Sequence, residues 1–297
     1  MHNPHRVERI SALAAGATWP LFPNILFFLQ KLGSKGTKKY CLILATAFSF
    51  FSTASFAEAH FLELIPSQDI VTGHKNSTLQ FDIRFSHPME NGPVMNMDDP
   101  VQFIVLHNGR QTDLKKTLHA NKIDGKNAYT ATFKIKEPGD HVFGFEPAPY
   151  WEPSEQKMII HYTKVVVNGF GAEEGWDEPL RFPVEIDPLV RPYGLWTGNT
   201  FRGVVKKNGR PVPFTAIEVE YLNNENLVEI PADPFITQVL MSDINGVFTY
   251  TMPRSGWWGF AALVEGDELV ESPEGNRVEV ELGGLLWVKC IDMKSRK

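Results

Sequence analysis

Seven histidines, His60, His74, His87, His107, His119, His141 and His161, crowd the segment from 60 to 161, and no histidine follows it. Neutral imidazoles ligate nickel, cobalt, copper and zinc, so transition-metal binding is the chemistry such a set could perform. His60 follows Ala57-Glu58-Ala59, a small-x-small sequence that signal peptidase can cut. Cleavage there would put a free α-amino group and an imidazole on one residue, able to chelate a single ion. Cleavage after Ala57 is the competing expectation and would leave Glu58 first.

The segment from His87 to Asp99 adds three thioethers (Met89, Met95, Met97) and three carboxylates (Glu90, Asp98, Asp99). Gly92-Pro93 precludes a continuous helix, so these donors sit on a loop, which can turn several of them toward one point. Imidazole suits borderline ions, whereas thioether favours soft ones such as monovalent copper. His141 and His161 fall in strand-like runs, and Glu152 lies within Tyr150-Trp151-Glu152-Pro153. The expected ligand set is His60, His87, Met89, His141, His161 and Glu152. Against it stands a plainer expectation: core histidines with local partners, and methionines and aromatics that plug the ends of a sandwich. His74, His107 and His119 read as surface residues.

No Gly-x-Ser-x-Gly elbow, phosphate-binding glycine loop or His-Glu-x-x-His motif occurs, which argues against hydrolase and nucleotide chemistry. The expected protein is not an enzyme.

The elements that must position these donors are strands. Leu79, Phe81, Ile83 and Phe85 alternate with polar residues, and His87 continues their phase. Asn108-Gly109 and Glu137-Pro138-Gly139-Asp140 are turn signals, and Met158 to Val167 reads as a central strand. From about 169 to 194 alternation gives way to glycine, proline and acids, and a second strand series begins near Thr200. The expected architecture is all-β: two β-sandwich domains after an N-terminal extension and signal peptide (1–59). A His-rich sandwich (60–187), a linker (188–198) and a second sandwich (199–297) follow.

Lys35, Lys38 and Lys39 precede the apolar run Cys41 to Phe51, the layout of a secretory signal too short for a spanning helix. The expected location is the periplasm, with no stable membrane anchor after cleavage. Residues 1–34 before the signal read as a misassigned start, the alternative being a genuine membrane-lying extension. Without residues 1–57 the chain keeps 23 basic and 34 acidic residues, a net charge of −11 that repels nucleic acid. Only Cys290 would remain, so no intrachain disulfide is available and a buried, inert thiol is expected. Trp257, Trp258, Trp196 and Trp287 read as packing residues.

Phe201-Arg202-Gly203-Val204-Val205, Asn208-Gly209-Arg210-Pro211-Val212-Pro213 and Ser242 to Tyr250 resemble a transthyretin-like or carboxypeptidase-regulatory sandwich. Ala59-His60-Phe61, His87-Pro88-Met89-Glu90-Asn91-Gly92-Pro93, Trp151-Glu152-Pro153 with His161-Tyr162-Thr163-Lys164, Arg191 to Trp196 and Pro253 to Phe260 carry a wider resemblance. Over nearly all of 60–293 the chain resembles a bacterial periplasmic family of unknown function, described as the periplasmic component of cobalt/nickel ABC-type uptake systems. That resemblance implies binding of nickel or cobalt, ahead of copper, and delivery to an inner-membrane metal-uptake permease. Two other functions stay open: a metal-independent protein- or glycan-interaction module, and a copper-dependent oxidase of polysaccharides, which demands His60 as first residue.

Overall fold

The computed structural model describes residues 60–296. The expected extension, signal segment and both cleavage sites lie outside the described residues. Strands of three or more residues are β1 (Phe61–Pro66), β2 (Thr78–Ser86), β3 (Gln102–His107), β4 (Arg110–Asp113), β5 (Leu118–Ile123), β6 (Lys126–Lys134), β7 (Gly139–Glu146) and β8 (Tyr150–Glu152). They continue with β9 (Lys157–Gly169), β10 (Val184–Pro188), β11 (Thr200–Lys207), β12 (Ala216–Tyr221), β13 (Gln238–Met241), β14 (Val247–Thr251), β15 (Gly256–Glu265) and β16 (Val280–Ile291). Among the described residues the helical turns are three-residue 3₁₀ turns, so the protein is all-β, as the alternation predicts.

One long sheet runs in the order β13-β12-β15-β16-β9-β7-β3-β4. A four-stranded sheet, β1-β2-β6-β5, packs on one face through Phe61, Phe81, Phe103, Phe143 and Trp287. A second small sheet, built on β10, β11 and β14, covers Phe260, Leu286 and Val288, whose side chains leave the opposite face. Period two explains the split: Ala261, Leu285 and Trp287 point one way, and Phe260, Leu286 and Val288 the other. In β2 the burial pattern follows the predicted alternation, with Leu79, Phe81, Ile83 and Phe85 inside.

The two halves do not meet across a solvated linker. β9 and β16 pair in parallel from Met158↔Val280 to Val165↔Trp287, in the middle of the long sheet. Tyr193 and Leu195, inside the expected linker at 188–198, are buried. The expected boundary therefore falls within a shared sheet. Asn108-Gly109 and Asn208-Gly209 make the predicted hairpin turns, all four residues at positive φ between 50° and 74°. Cys290 is fully buried, its thiol facing the Arg254 carbonyl at 3.1 Å. Trp287 and Trp258 are core, but Trp196 is 40 % exposed and packs less than expected.

Candidate metal centre

His60, at the entry to β1, meets the loop residue His87 with ring centroids 4.6 Å apart. Its Nε2 lies 3.4 Å from Glu152 Oε2 at the end of β8. The aromatic rings of Phe85 and Tyr150 flank it at 5.6 and 5.9 Å. Phe85 also takes the edge of His161, from the middle of β9, at 5.4 Å. His161 Nε2 is 3.7 Å from Glu281 Oε1, a carboxylate on β16. Four of the expected ligands, His60, His87, His161 and Glu152, are thus gathered in one place, and Glu281 joins them.

Each donor is held by its surroundings. Ser154 donates its N–H and hydroxyl to Glu152 Oε1, at 2.9 and 2.6 Å, leaving Oε2 for His60. His87 rides a loop tied to β12 and the residues after it: Met89 N–H donates to Glu220 Oε2, Asn223 N–H to the Pro88 carbonyl and Asn223 Nδ2 to the Met89 carbonyl. The His161 imidazole lies over Gly283, where a Cβ would come within 2.4 Å of its ring. Both ring nitrogens of His161 lack a hydrogen-bond partner although the residue is only 2 % exposed. A buried polar atom without a partner is costly, and a ligand is one way to satisfy it.

Burial, with His87 and His161 close by, pushes the His60 pKa from 6.5 down to about 4 against the pull of Glu152 and Glu281. At neutral pH His60 is therefore the uncharged imidazole that metals require. Burial raises the Glu152 carboxyl, but the Ser154 hydrogen bonds and the neighbouring His60 and His87 outweigh it and hold Glu152 below its ordinary value. Glu281 is also held low: His161, Lys157 and His60 outweigh its burial. Among the described residues, no group of three or more His, Cys, Asp or Glu side chains stands ready to hold an ion. The imidazoles are instead engaged with carboxylates, His60 with Glu152 and His161 with Glu281.

Two expected ligands lie apart. His141 pairs with Val167, six residues along β9 from His161, which is roughly 20 Å at strand rise. It stacks on His107 at 3.9 Å and 8°, with its Nδ1 3.1 Å from the Gly139 carbonyl. His107, expected at the surface, is its partner in that stack. The Met89 side chain is buried, and its described polar contacts are backbone ones to Glu220 and Asn223. Glu281 was missed because only the parallel pairing of β9 with β16, opposite Ile159, brings it here.

Buried ionisable groups make stability depend on pH in opposite directions. Burial, with His107 adjacent, lowers His141 to about 4, like His60. Burial raises Glu218 to about 7, with Glu281 and Glu155 adding to the rise, and Glu220 to about 8 despite its Thr237 and Met89 hydrogen bonds. Between 6.5 and about 4 the unfolded chain binds protons that folded His60 and His141 refuse, so their contribution falls as pH drops. Above 4.5 folded Glu218 and Glu220 keep protons that the unfolded chain has lost, so theirs falls as pH rises through about 7 and 8. Of these two effects, the glutamate one alone remains above 6.5. Stability is expected to decline from pH 6.5 to 8, by at most about 1.4 kcal/mol per pH unit for each glutamate. Glu220→Gln should remove part of that decline. Urea midpoints across the interval check it, and a midpoint that climbs with pH would contradict the assignment.

Residues 57–266 match the family described as a domain of unknown function (DUF4198). No protein of curated function matches the chain. Among solved structures, it is similar to a 1.5-MDa bacterial ice-binding adhesin at 6 % identity and a TM-score of 0.22, over 80 % of this chain and 66 % of that one. It is also similar to the Yersinia pseudotuberculosis adhesin InvE at 14 % identity and a TM-score of 0.23, over 76 % and 58 %. Domains A168–A170 of titin match at 10 % identity and a TM-score of 0.19, over 75 % and 61 %. The chain spans less than two thirds of the length of each, and its fold rests on the sheets described above.

Proposed function

The chain belongs to the DUF4198 family, a domain of unknown function, and from its histidine cluster we propose an exported, non-enzymatic carrier of nickel or cobalt serving an inner-membrane permease. The observation that carries this reading is the meeting of His60, His87, His161 and Glu152, with His161 buried, its Nδ1 without a hydrogen-bond partner and its Nε2 facing Glu281 at 3.7 Å. Structural histidines usually satisfy at least one ring nitrogen locally, as His141 does with the Gly139 carbonyl.

In this reading the ion is cargo. His60, His87 and His161 would supply neutral nitrogens and Glu152 a carboxylate, its second oxygen kept in place by Ser154. Loading requires His60 and His161 to exchange their carboxylate neighbours for the ion by turning their rings. Imidazole and carboxylate without thioether suit borderline divalent ions better than monovalent copper, and no described contact brings Met89 sulfur into the set. A glycan-reading module would use open aromatic faces: Trp287, Trp258 and Trp257 are buried, whereas Trp151 and Trp176 are half-buried and Trp196 is 40 % exposed, so that second reading keeps candidate faces of its own.

Calorimetric titration at neutral pH tests the proposal. One nickel or cobalt ion is expected to bind per chain. Absence of binding by nickel, cobalt and copper alike would overturn it. N-terminal sequencing of the exported chain decides whether His60 comes first, which the copper-oxidase alternative requires.

A further inference from the structure

The long sheet ends in two short strands that differ in kind. β4 (Arg110–Asp113) is exposed along its whole length and carries a charge at each end. Charged side chains are a common guard against pairing with another chain. β13 (Gln238–Met241), just as short, has no such guard. No residue from Pro234 to Ser242 is charged, in a chain of net charge −6. Val239 and Met241 are 61 % and 58 % exposed, and Phe235 before the strand and Ile244 after it are exposed too. Among the described residues no strand pairs with the outer side of β13.

We infer that β13 pairs antiparallel with β13 of a second copy, so that two long sheets join edge to edge in a two-fold dimer. The backbone sets the register. Ser242 N–H donates to the Thr215 carbonyl, inward to the sheet, and Leu240 and Gln238 share its phase. The N–H and C=O groups of Val239 and Met241 therefore face outward. A two-fold axis at Leu240 places Val239 of either copy opposite Met241 of the other, and each such pair can exchange both of its backbone hydrogen bonds. The side chains agree with the backbone. Leu240 packs toward the second core and Gln238 accepts from the Tyr250 hydroxyl at 2.9 Å, so Val239 and Met241 share the opposite face. Pairing across the axis covers these apolar side chains with one another. In the same register Ile244 comes opposite Ile236 and Asp243 opposite Thr237, so no carboxylate meets another. The strand is complementary to itself, which favours a second copy over a strand of other sequence. The inference is independent of metal binding.

Sedimentation equilibrium of the exported chain between about 1 and 300 µM should show monomer and dimer exchanging reversibly, with a dissociation constant on the order of 10 µM, because a short edge makes a small interface. Val239→Lys and Met241→Glu should each weaken the dimer at least about tenfold, since either change acts at both symmetric pairs. Both positions are exposed, so urea midpoints of the variants should match that of the unaltered chain. An equimolar mixture of the two variants should regain most of the lost affinity, because the register sets the new lysine of one chain opposite the new glutamate of the other. A chain that stays monomeric throughout that range, a dimer indifferent to Val239→Lys, or a mixture that fails to recover would each overturn the inference.

Discussion

Alanine at both His60 and His161 is expected to lower nickel affinity at least about a hundredfold while His141→Ala leaves it within about twofold. Loss of a residue that merely orients a metal ligand already costs 10–100-fold, and loss of two ligands removes more. His60 faces His87 and Glu152, and His161 faces Glu281, so no remaining pair of imidazoles spans the cluster once both are gone. His141 is the control: buried like His161 and, like His60, lowered to about 4, but stacked on His107 some six strand residues away. The double variant should still fold. Removing His161 leaves a cavity beside Gly283 and takes the facing imidazole from Glu281, but also removes a buried Nδ1 that has no hydrogen-bond partner, and those effects oppose each other. Calorimetry for affinity and urea unfolding for integrity separate the two. Unchanged nickel binding in the double variant, or an equal loss in His141→Ala, would move the site elsewhere.

The contrast between His161 and His141 also marks what sequence can report. Alternation assigns a side chain to a face of a sheet: the phase of Leu79, Phe81, Ile83 and Phe85 is the one observed, and His87 follows it into a buried place. Height along the sheet is a different quantity. It depends on register between strands distant in sequence, and nothing local to His141 states that it will sit opposite Val167. Glu281 illustrates the same limit more sharply, since it reaches His161 only through a parallel pairing between strands more than a hundred residues apart. Runs such as Met158 to Val167 and Leu285 to Ile291 are apolar on both faces. Such runs identify central strands but carry no phase from which a partner or register could be inferred. The turn signals at Asn108-Gly109 and Asn208-Gly209 were legible because their geometry is settled within two residues. The break in texture after 169 was legible too, but Tyr193 and Leu195 pack against the long sheet and Lys164, beneath it, pairs with Glu185 and Asp187. A stretch rich in proline, glycine and acids can thus be a cover instead of a linker.

That shared sheet makes Trp287→Ala the substitution with the largest expected effect on stability. Trp287 is fully buried on β16, lies edge-on to Phe61 at 6.1 Å and donates its indole N–H to the Leu62 carbonyl at 2.9 Å. One side chain of the second half therefore grips β1 of the first. Gly259 on the neighbouring strand makes room for the ring, since a Cβ there would stand 2.9 Å from it. Truncation removes the ring and leaves a cavity, at about 3–5 kcal/mol, and leaves the Leu62 carbonyl with only the 3.5 Å hydrogen bond from the Thr163 hydroxyl, a further loss of about 1 kcal/mol. Against a total of about 5–15 kcal/mol, that is a large fraction of what holds the fold. Trp287→Phe keeps most of the apolar contact and loses the hydrogen bond, so it should cost clearly less. The loss should reach the metal cluster as well. β1 begins at Phe61, immediately after His60, so a loosened β1 releases the first imidazole and weakens nickel binding without altering a ligand. Urea unfolding and nickel titration on the same preparations read both consequences. If the halves were independent domains, Trp287→Ala would split the unfolding curve into two transitions and leave nickel affinity alone. A single transition at lower urea, with weakened nickel binding, is the result expected of one continuous sheet.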